Sequence, residues 1–353
     1  MGSKIPVTGV YIDPETGKEV TTHSMIKTMR RCPKQFQYKY IERLKPKVLG
    51  RPLRYGTWMH ELLEVNARGE NWRNQQKRNV AKFKKYFDEE QDMLGDLPNE
   101  TARAMKAYLW HYTNDDWEVQ DVEFMLETNW PDGSIYRAKL DLLIENEFGL
   151  WVVDHKNLRS FPDISFRILD AQSALYIWAA IKNGIPVQGH IWNYLKSKPP
   201  GIPKLLKDGT RLSKRKIDTD YVTLLTTIKQ HGLDPKDYLP WLRQLRAQQY
   251  QHGMPQASPF FQRVILEKQR DMVRQVALEG YMTHKAIHSY PWHKPDQVER
   301  SPDRSCSFMC SYVDLCSAEL FGGNGDQIRR TQFTQGDPLD YYYDRQDKGK
   351  TDG

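Results

Sequence analysis

The stretch from residue 117 to residue 195 constrains the fold most, because strand-like and helix-like segments follow one another in a clear order there. Turn residues at Pro131-Asp132-Gly133 and at 146–149 separate the first segments. The sequence predicts strands over 117–130, 136–145 and 149–156, a helix over 170–183 and a strand over 187–195. This order predicts an α/β fold with a mixed central sheet flanked by helices.

Length and composition are consistent with a large globular protein. The chain has 353 residues, of which 39% are hydrophobic, and this is enough to build a substantial core. Its net charge of +7 is compatible with a polyanionic partner without requiring one. No apolar run approaches a membrane span, and the first residues contain no apolar signal segment, so we expect no membrane association and a cytoplasmic location in a cell or an infected host.

The remaining segments suggest how the chain is organised. We expect a loose leader over 1–22 and a single domain over 23–321, with helical insertions at about 66–115 and 196–290. The last residues, 322–353, are rich in Gly, Asp, Gln and Arg and are predicted to be disordered.

Two of these segments have features of their own. Within the second insertion, 219–250 and 259–290 are predicted to be mainly helical. The run of basic residues at 204–216 is predicted to be an exposed loop, which in a DNA-binding protein could follow phosphates without reading sequence.

Three residues in the strand region form the main candidate for chemistry. Asp154 and Lys156 are two apart on a strand and therefore share a face, and an antiparallel neighbour could bring Asp141 to them. Two carboxylates can bind Mg²⁺ or Mn²⁺, which lowers the pKa of a bound water and polarises a phosphoryl oxygen. Lys156 could then orient the attacking water. The alternative is a solvated surface pair, but a buried apolar run precedes Asp154, and charge at the end of such a strand is costly without a partner.

Several motifs, taken together, resemble the PD-(D/E)XK nucleases of the RecB-like branch. Asp141 and then Asp154-His155-Lys156 resemble the nuclease signature, with His155 as its variable residue. The segment 56–60, which ends in His60, resembles the upstream helix motif. Gln172 and Tyr176, four apart on a predicted helix, resemble the motif that follows the catalytic strand.

The resemblance implies a restriction-endonuclease-like core and specific roles for these residues. His60 would be a metal ligand with Asp141 and Asp154, and the backbone carbonyl of His155 would contact the metal. Gln172 and Tyr176 would contact DNA or brace the site.

Four cysteines are placed so that they could join the two ends of the domain. Cys32 stands near the start, and Cys306, Cys310 and Cys316 cluster near the end. Without a secretory signal, a disulfide framework is not expected, and the pattern favours a metal site.

The cysteine pattern also resembles iron–sulfur nucleases such as AddB and the RecB-like exonucleases of CRISPR adaptation, which implies a [4Fe-4S] cluster. Many relatives have two residues, where this chain has three, between the second and third cysteines. Four cysteines around one zinc ion, or four unconnected buried thiols, therefore remain as alternatives.

The sequence thus predicts a metal-dependent DNA nuclease, and the resemblance implies an exonuclease in recombination, repair or phage DNA processing. No phosphate-binding GxxxxGK[ST] loop is present, so a helicase motor or recombination protein would be a separate partner. One alternative is a DNA-binding recombination scaffold with a weak or idle site. Another is an electron-transfer metalloprotein, against which the nuclease motifs count.

Overall fold

A mixed sheet forms the centre of the computed structural model, which describes residues 11–13, 16–213, 217–251 and 258–343. The strands are β1 (Tyr11–Ile12), β2 (Glu19–Thr22), β3 (Leu44–Pro46), β4 (Glu118–Asn129), β5 (Ile135–Asn146), β6 (Gly149–Leu158), β7 (Gly189–Lys196), β8 (Phe261–Glu267) and β9 (Phe333–Gln335). The sheet order is β1-β2-β5-β6-β7-β8, with β4 also paired to β5, and β3 pairs separately with β9.

Helices account for most of the remaining chain. In the first half they are α1 (His23–Arg31), α2 (Pro33–Phe36), α3 (Arg51–Ala67), α4 (Trp72–Phe83), α5 (Asp88–Leu94) and α6 (Leu97–His111), with a π-helical turn at Gln37–Ile41. In the second half they are α7 (Ile164–Ile168), α8 (Ala171–Lys182), α9 (Tyr221–Gln230), α10 (Leu239–Arg246), α11 (Arg270–Ser289), α12 (Cys306–Met309), α13 (Val313–Leu320), α14 (Gly325–Gln332) and α15 (Asp340–Tyr343), with 3₁₀ turns at Pro235–Tyr238 and Pro295–Gln297.

The sheet topology follows from the short and long connections. β4, β5 and β6 form an antiparallel meander, because tight turns join them. β6 and β7 are parallel, and α8 supplies the crossover that parallel strands need. β8 then pairs antiparallel with β7. The predicted α/β fold with a mixed sheet flanked by helices is therefore confirmed.

Helices cover both faces of the sheet. On one face, α8 packs against α1 and α11, and Leu175 of α8 shares a core with Val152 of β6. On the other face, α3 packs against α4 and α6 and also contacts β4 and β6. Each side of the sheet can therefore bring helical side chains to the ends of its strands.

Strand β5 is shared by three neighbours, and this creates a fork in the sheet. β4 pairs with β5 along nearly its whole length and so occupies one of its edges. On the other edge, β6 pairs with residues 142–146 and β2 pairs with 135–137. Residues 138–141 lie between these two ladders, where β5 and β6 part.

The structure differs from the sequence-based description in three places. The predicted leader contains β2. Val20 of this strand is fully buried, although its neighbours in the sequence are polar. The predicted helical segment 259–290 begins with the edge strand β8, where Phe261 and Val264 are buried. The predicted disordered tail forms α14, β9 and α15 up to residue 343, with Phe333 and Leu339 as buried anchors, and 344–353 lie outside the described residues.

The predicted helical insertions do contain helices. α4, α5 and α6 occupy the first predicted insertion, and α9 and α10 occupy part of the second. Residues 214–216 of the basic run lie outside the described residues. Of the helices described here, none combines the length and the apolar character that crossing a membrane would require.

Candidate active site

The fork between β5 and β6 is held by a side chain in place of a ladder hydrogen bond. The last paired residues on this edge are Leu142 and Val153. Beyond them, the backbone N–H of His155 donates to Asp141 Oδ2 at 2.7 Å. The Asp141 carboxylate therefore satisfies an N–H that the diverging strand can no longer satisfy, and this fixes its position.

The pleat of β4 and β5 changes phase at the same point. Phe124 and Leu140 pack in the core on the α8 side, whereas Val122 and Leu142 pack in the core on the α3 side. Glu123 lies in the strand opposite Asp141 at this change and has a positive φ of 56°. The irregularity brings acidic side chains to a place that groups from both faces of the sheet can reach.

One side of the site contains a nitrogen and two carboxylates. His60, on α3, places Nδ1 3.6 Å from Asp141 Oδ2. Ligand atoms of His60, Glu123 and Asp141 all lie within 4.8 Å of one another. Glu123 Oε2 also lies 3.0 Å from Lys139 Nζ, and both side chains are buried. These donors fit Mg²⁺ or Mn²⁺, which accept oxygen ligands, with Mn²⁺ also suited to the imidazole.

The other side of the site contains Asp154 and its partners. Lys156 Nζ lies 2.5 Å from Asp154 Oδ2. Gln172, in the first turn of α8, donates from Nε2 to Asp154 Oδ1 at 2.6 Å. Asp154 and Lys156 share a face of β6, as the two-residue spacing predicts. In the described residues, the Asp154 carboxylate is not part of the group formed by His60, Glu123 and Asp141.

A cleft joins the two sides. Its volume is about 510 Å³. The lining residues include Asp141, Asp154, Lys156, Gln172 and Tyr176, with the start of α1 opposite them; further lining comes from His60, Lys27, Lys39, Lys139, Pro338, Leu339 and Tyr342. The structure thus places His60, Asp141, Asp154, Lys156, Gln172 and Tyr176 around one cavity.

Burial and charge raise the pKa of Asp141 well above its ordinary value. Loss of hydration is the largest cause, and the neighbouring carboxylates of Asp154 and Glu123 add to it. A bound divalent cation would relieve this repulsion and keep the carboxylate ionised. The chemistry of the donor set therefore fits a divalent metal.

The side chain of His155 points away from Asp154, toward α3. Asn193 donates from Nδ2 to His155 Nδ1 at 2.7 Å, and the same amide nitrogen lies 2.9 Å from the hydroxyl of Tyr108. Burial lowers the pKa of His155 well below its ordinary value, so the ring is neutral. Its ring centroid lies 6.0 Å from that of His60, so the two imidazole rings are neighbours.

The four cysteines lie at one end of the molecule. Cys32 separates α1 from α2, and the other three lie in or beside α12 and α13. Burial raises the pKa of the Cys310 thiol, and nearby Cys306 and Cys32 raise it further. Cys310 and Cys316 both pack against a core that includes Tyr38 and Tyr312. The structure thus brings Cys32, Cys306 and Cys310 near one another, and the metal junction of residue 32 with 306–316 stays a prediction.

Sequence reasoning missed Glu123 and His23. Glu123 lies in a loosely alternating strand with several acidic residues, and only its register opposite Asp141 distinguishes it. His23 begins α1 and lines the cleft, buried and close to Tyr176. The signal for His23 would have been Thr22, a residue type that commonly caps a helix. A helix that starts there places His23 in its first turn, at the positive end of the helix dipole.

The fold and site together define a restriction-endonuclease-like core with clustered carboxylates and a lysine beside one cleft. The sequence model of the PD-(D/E)XK nuclease superfamily matches residues 21–317, and the chain belongs to this superfamily. It is therefore a nuclease by family.

Two solved structures are also similar to parts of the chain. One is the protein SSO0001, with 10% identity, coverage of 85% of this chain and 86% of that one, and a TM-score of 0.31. The other is a protein of Eubacterium rectale provisionally described as an exonuclease, with 13% identity, coverage of 71% and 88%, and a TM-score of 0.36. No curated protein matches the sequence.

Proposed function

We propose that this chain is a Mg²⁺- or Mn²⁺-dependent DNA nuclease that cleaves phosphodiester bonds near DNA ends. The observation that carries the proposal is the grouping of His60, Glu123 and Asp141 within 4.8 Å, beside a cleft that His60, Asp141 and Lys156 line. A divalent metal bound there would supply Lewis-acid activation of the phosphate and of a water.

The protein's own residues have separable roles in this proposal. His60, Asp141 and Glu123 hold the metal, with Asp154 beside them. Lys156 can stabilise negative charge on the phosphate or orient the water, because its ammonium group projects into the cleft beside Asp154. Gln172 holds the Asp154 carboxylate in place. Tyr176 lines the cleft, and we propose that it braces the site or contacts the strand.

The shape of the cleft supports action at an end. A volume of about 510 Å³ lies in the range of sites that enclose a group the size of a small ligand, such as a nucleotide. Pro338, Leu339 and Tyr342 wall one part of it, and Lys27 and Lys39 add positive charge. A single strand entering such a cleft from its end would place a phosphate next to Lys156.

The cysteines are proposed to bind a [4Fe-4S] cluster. A tetrahedral zinc site has sulfur atoms roughly 4 Å apart, from Zn–S bonds of about 2.3 Å. Among the described residues, the ligand groups within 4.8 Å of one another include none of the cysteines. A cluster separates its thiolates further than a single ion does, so this arrangement is compatible with a cluster.

End-labelled DNA tests the nuclease assignment. Linear and circular DNA, each single- and double-stranded, are incubated with protein while Mg²⁺ or Mn²⁺ is titrated. We expect degradation of linear DNA only with added metal, and loss of at least about 100-fold in rate for Lys156→Ala. Lys182→Ala, on the exposed end of α8, is the matched control and should cut normally.

Two outcomes would contradict parts of the proposal. Undiminished cleavage by Lys156→Ala would remove the site assignment. Equal cleavage of circular and linear DNA would keep a nuclease but remove action at ends. Specific DNA binding with no cleavage at any metal concentration would favour the recombination scaffold instead.

A further inference from the structure

A second group of possible metal ligands lies outside the nuclease cleft, on α11 and strand β2. Ligand atoms of Glu19, His284 and His288 all lie within 4.8 Å of one another. Glu19 Oε2 is 2.7 Å from His288 Nδ1, and the two histidine rings lie 4.1 Å apart. None of these residues lines the cleft described above.

The spacing of the two histidines suits an ion. His284 and His288 are four apart on α11 and therefore project from the same face. Two histidines at this helical spacing, with a carboxylate from another element, form a recurring arrangement for Zn²⁺. Imidazole nitrogens favour Zn²⁺ and similar transition ions over Mg²⁺, so this site would differ in preference from an oxygen-rich catalytic site.

The surroundings of His284 resemble the outer layer of a metal site. His284 is almost fully buried, and its Nε2 contacts Ser134 Oγ at 2.9 Å and Asp132 Oδ2 at 3.3 Å. Its Nδ1 contacts Thr21 Oγ1 at 2.6 Å. Metal-binding histidines commonly use one nitrogen for the ion while a carboxylate or hydroxyl holds the other. For His284 Nδ1 to bind an ion, the Thr21 side chain would have to turn away from it, while the Ser134 contact on Nε2 stays.

His288 contributes a second, independent observation. Its Nε2 is buried and has no hydrogen-bond partner within the part of the chain that the structure describes. A buried ring nitrogen without a partner is costly unless something else satisfies it. Burial also lowers the pKa of His284 to about 4 and lowers that of His288, so both rings are neutral and have a lone pair available.

We propose that Glu19, His284 and His288 bind a structural Zn²⁺ ion, with water in the remaining position. The ion would fasten β2 to α11. Since β2 leads directly into α1, whose first residues line the cleft, the ion would also hold one wall of the cleft. The proposal stands on these residues alone and does not depend on the nuclease assignment.

Zinc content tests the proposal. Metal-stripped wild type, His288→Ala, Glu19→Gln and the control His293→Ala, which alters an exposed histidine nearby, are equilibrated with a small excess of Zn²⁺, desalted and analysed for zinc. We expect His288→Ala and Glu19→Gln to hold one equivalent less per chain than wild type and His293→Ala. Zinc content equal to wild type in both would overturn the site.

Two further measurements separate this site from the other possible zinc sites and from misfolding. Co²⁺ in place of Zn²⁺ should give visible ligand-field bands that vanish in His288→Ala but persist in Cys316→Ser and Asp141→Asn; bands unchanged in His288→Ala would count against the site. Zn²⁺ should raise the thermal unfolding midpoint of wild type more than that of Glu19→Gln. Glu19 is 45% exposed and glutamine keeps its size, so this variant should fold.

Discussion

The Asp141 carboxylate accepts a hydrogen bond of 2.7 Å from the backbone N–H of His155, across the point where β5 and β6 part. A residue proposed as a metal ligand therefore also closes the sheet at its fork. This dual use makes the structural and chemical roles of Asp141 separable by substitution.

Asp141→Asn and Asp141→Ala should differ in stability but not in activity. The asparagine side chain still accepts from the His155 N–H, whereas alanine leaves that buried N–H without its partner at a cost of about 1–3 kcal/mol. Both remove the charge proposed to hold the metal, so both should lose DNA cleavage. Urea denaturation and the cleavage assay measure the two effects, and an active Asp141→Asn protein would exclude Asp141 as an essential ligand.

Glu123→Gln should raise the metal concentration needed for cleavage. Its carboxylate lies within 4.8 Å of ligand atoms of His60 and Asp141, so its charge contributes to metal affinity. We expect an increase of about 10- to 100-fold in the Mn²⁺ concentration that gives half-maximal rate. Glu118→Gln, on the exposed start of the same strand, is the control. An unchanged metal requirement would mean that Glu123 only pairs with Lys139.

The contrast between the Asp154–Lys156 pair and Glu123 shows which residues of the site the sequence can predict. Asp154 and Lys156 were predictable, because a two-residue spacing on a strand fixes a common face whatever the rest of the fold does. Glu123 reaches the site only through a change in pleat and a positive φ within the β4-β5 pair. The periodicity of the sequence predicts the two strands but not this irregularity.

The same reasoning explains the strands that the sequence did not predict. β8 is short, joins the sheet through β7 and is followed at once by the long helix α11, so helical periodicity dominates any window that includes it. β2 contains one large apolar residue, Val20, and its two threonines are buried by tertiary contacts. The central β4-β5-β6-α8-β7 unit was predictable because each of its elements has its own periodicity and turn residues.

Asp115→Ala should destabilise the protein strongly through β8. Arg263 of β8 lies buried against the rings of Tyr112 and Trp117, and both of its terminal nitrogens contact the Asp115 carboxylate, at 2.6 and 2.7 Å. Removing the carboxylate leaves a buried guanidinium without its bidentate partner, at a cost of about 3–5 kcal/mol. Urea denaturation measures the loss. Asp116→Ala is the control, and a loss as small for Asp115→Ala as for Asp116→Ala would contradict the expectation.

His190 should make the protein less stable in mild acid. Burial lowers the pKa of this histidine from 6.5 to about 4. The unfolded chain therefore binds the proton more tightly, and the stability contributed by the neutral ring is full above pH 6.5 and is lost as the pH falls toward 4. The slope is at most about 1.4 kcal/mol per pH unit for one histidine.

The variant His190→Gln isolates this contribution. Asp141, whose pKa is raised, acts in the opposite direction, so the difference between variant and wild type is the useful quantity. We expect the free energy of unfolding of His190→Gln to fall less steeply between pH 6.5 and 4.5. Identical slopes in urea denaturation at several pH values would contradict the expectation, because they would mean that folding does not lower the pKa of His190.

Cys310→Ser should loosen both ends of the domain while leaving the catalytic residues intact. Cys310 lies close to Cys306 and Cys32 and packs with Cys316 against Tyr38, so a group bound by the four would join α1 and α2 to α12 and α13. If that group is a [4Fe-4S] cluster, wild-type protein is brown and contains four irons per chain, and the variant loses both colour and iron.

Because a bound metal group contributes its binding free energy to folding, the thermal midpoint of Cys310→Ser should fall by about 5 °C or more. Lys156→Ala should keep the colour and the iron, since its side chain lies in the cleft and not among the cysteines. Colourless wild-type protein that contains zinc and loses one equivalent of it in Cys310→Ser would replace the cluster with a zinc site, while a wild-type midpoint in Cys310→Ser would show that the cysteines do not hold the two ends together.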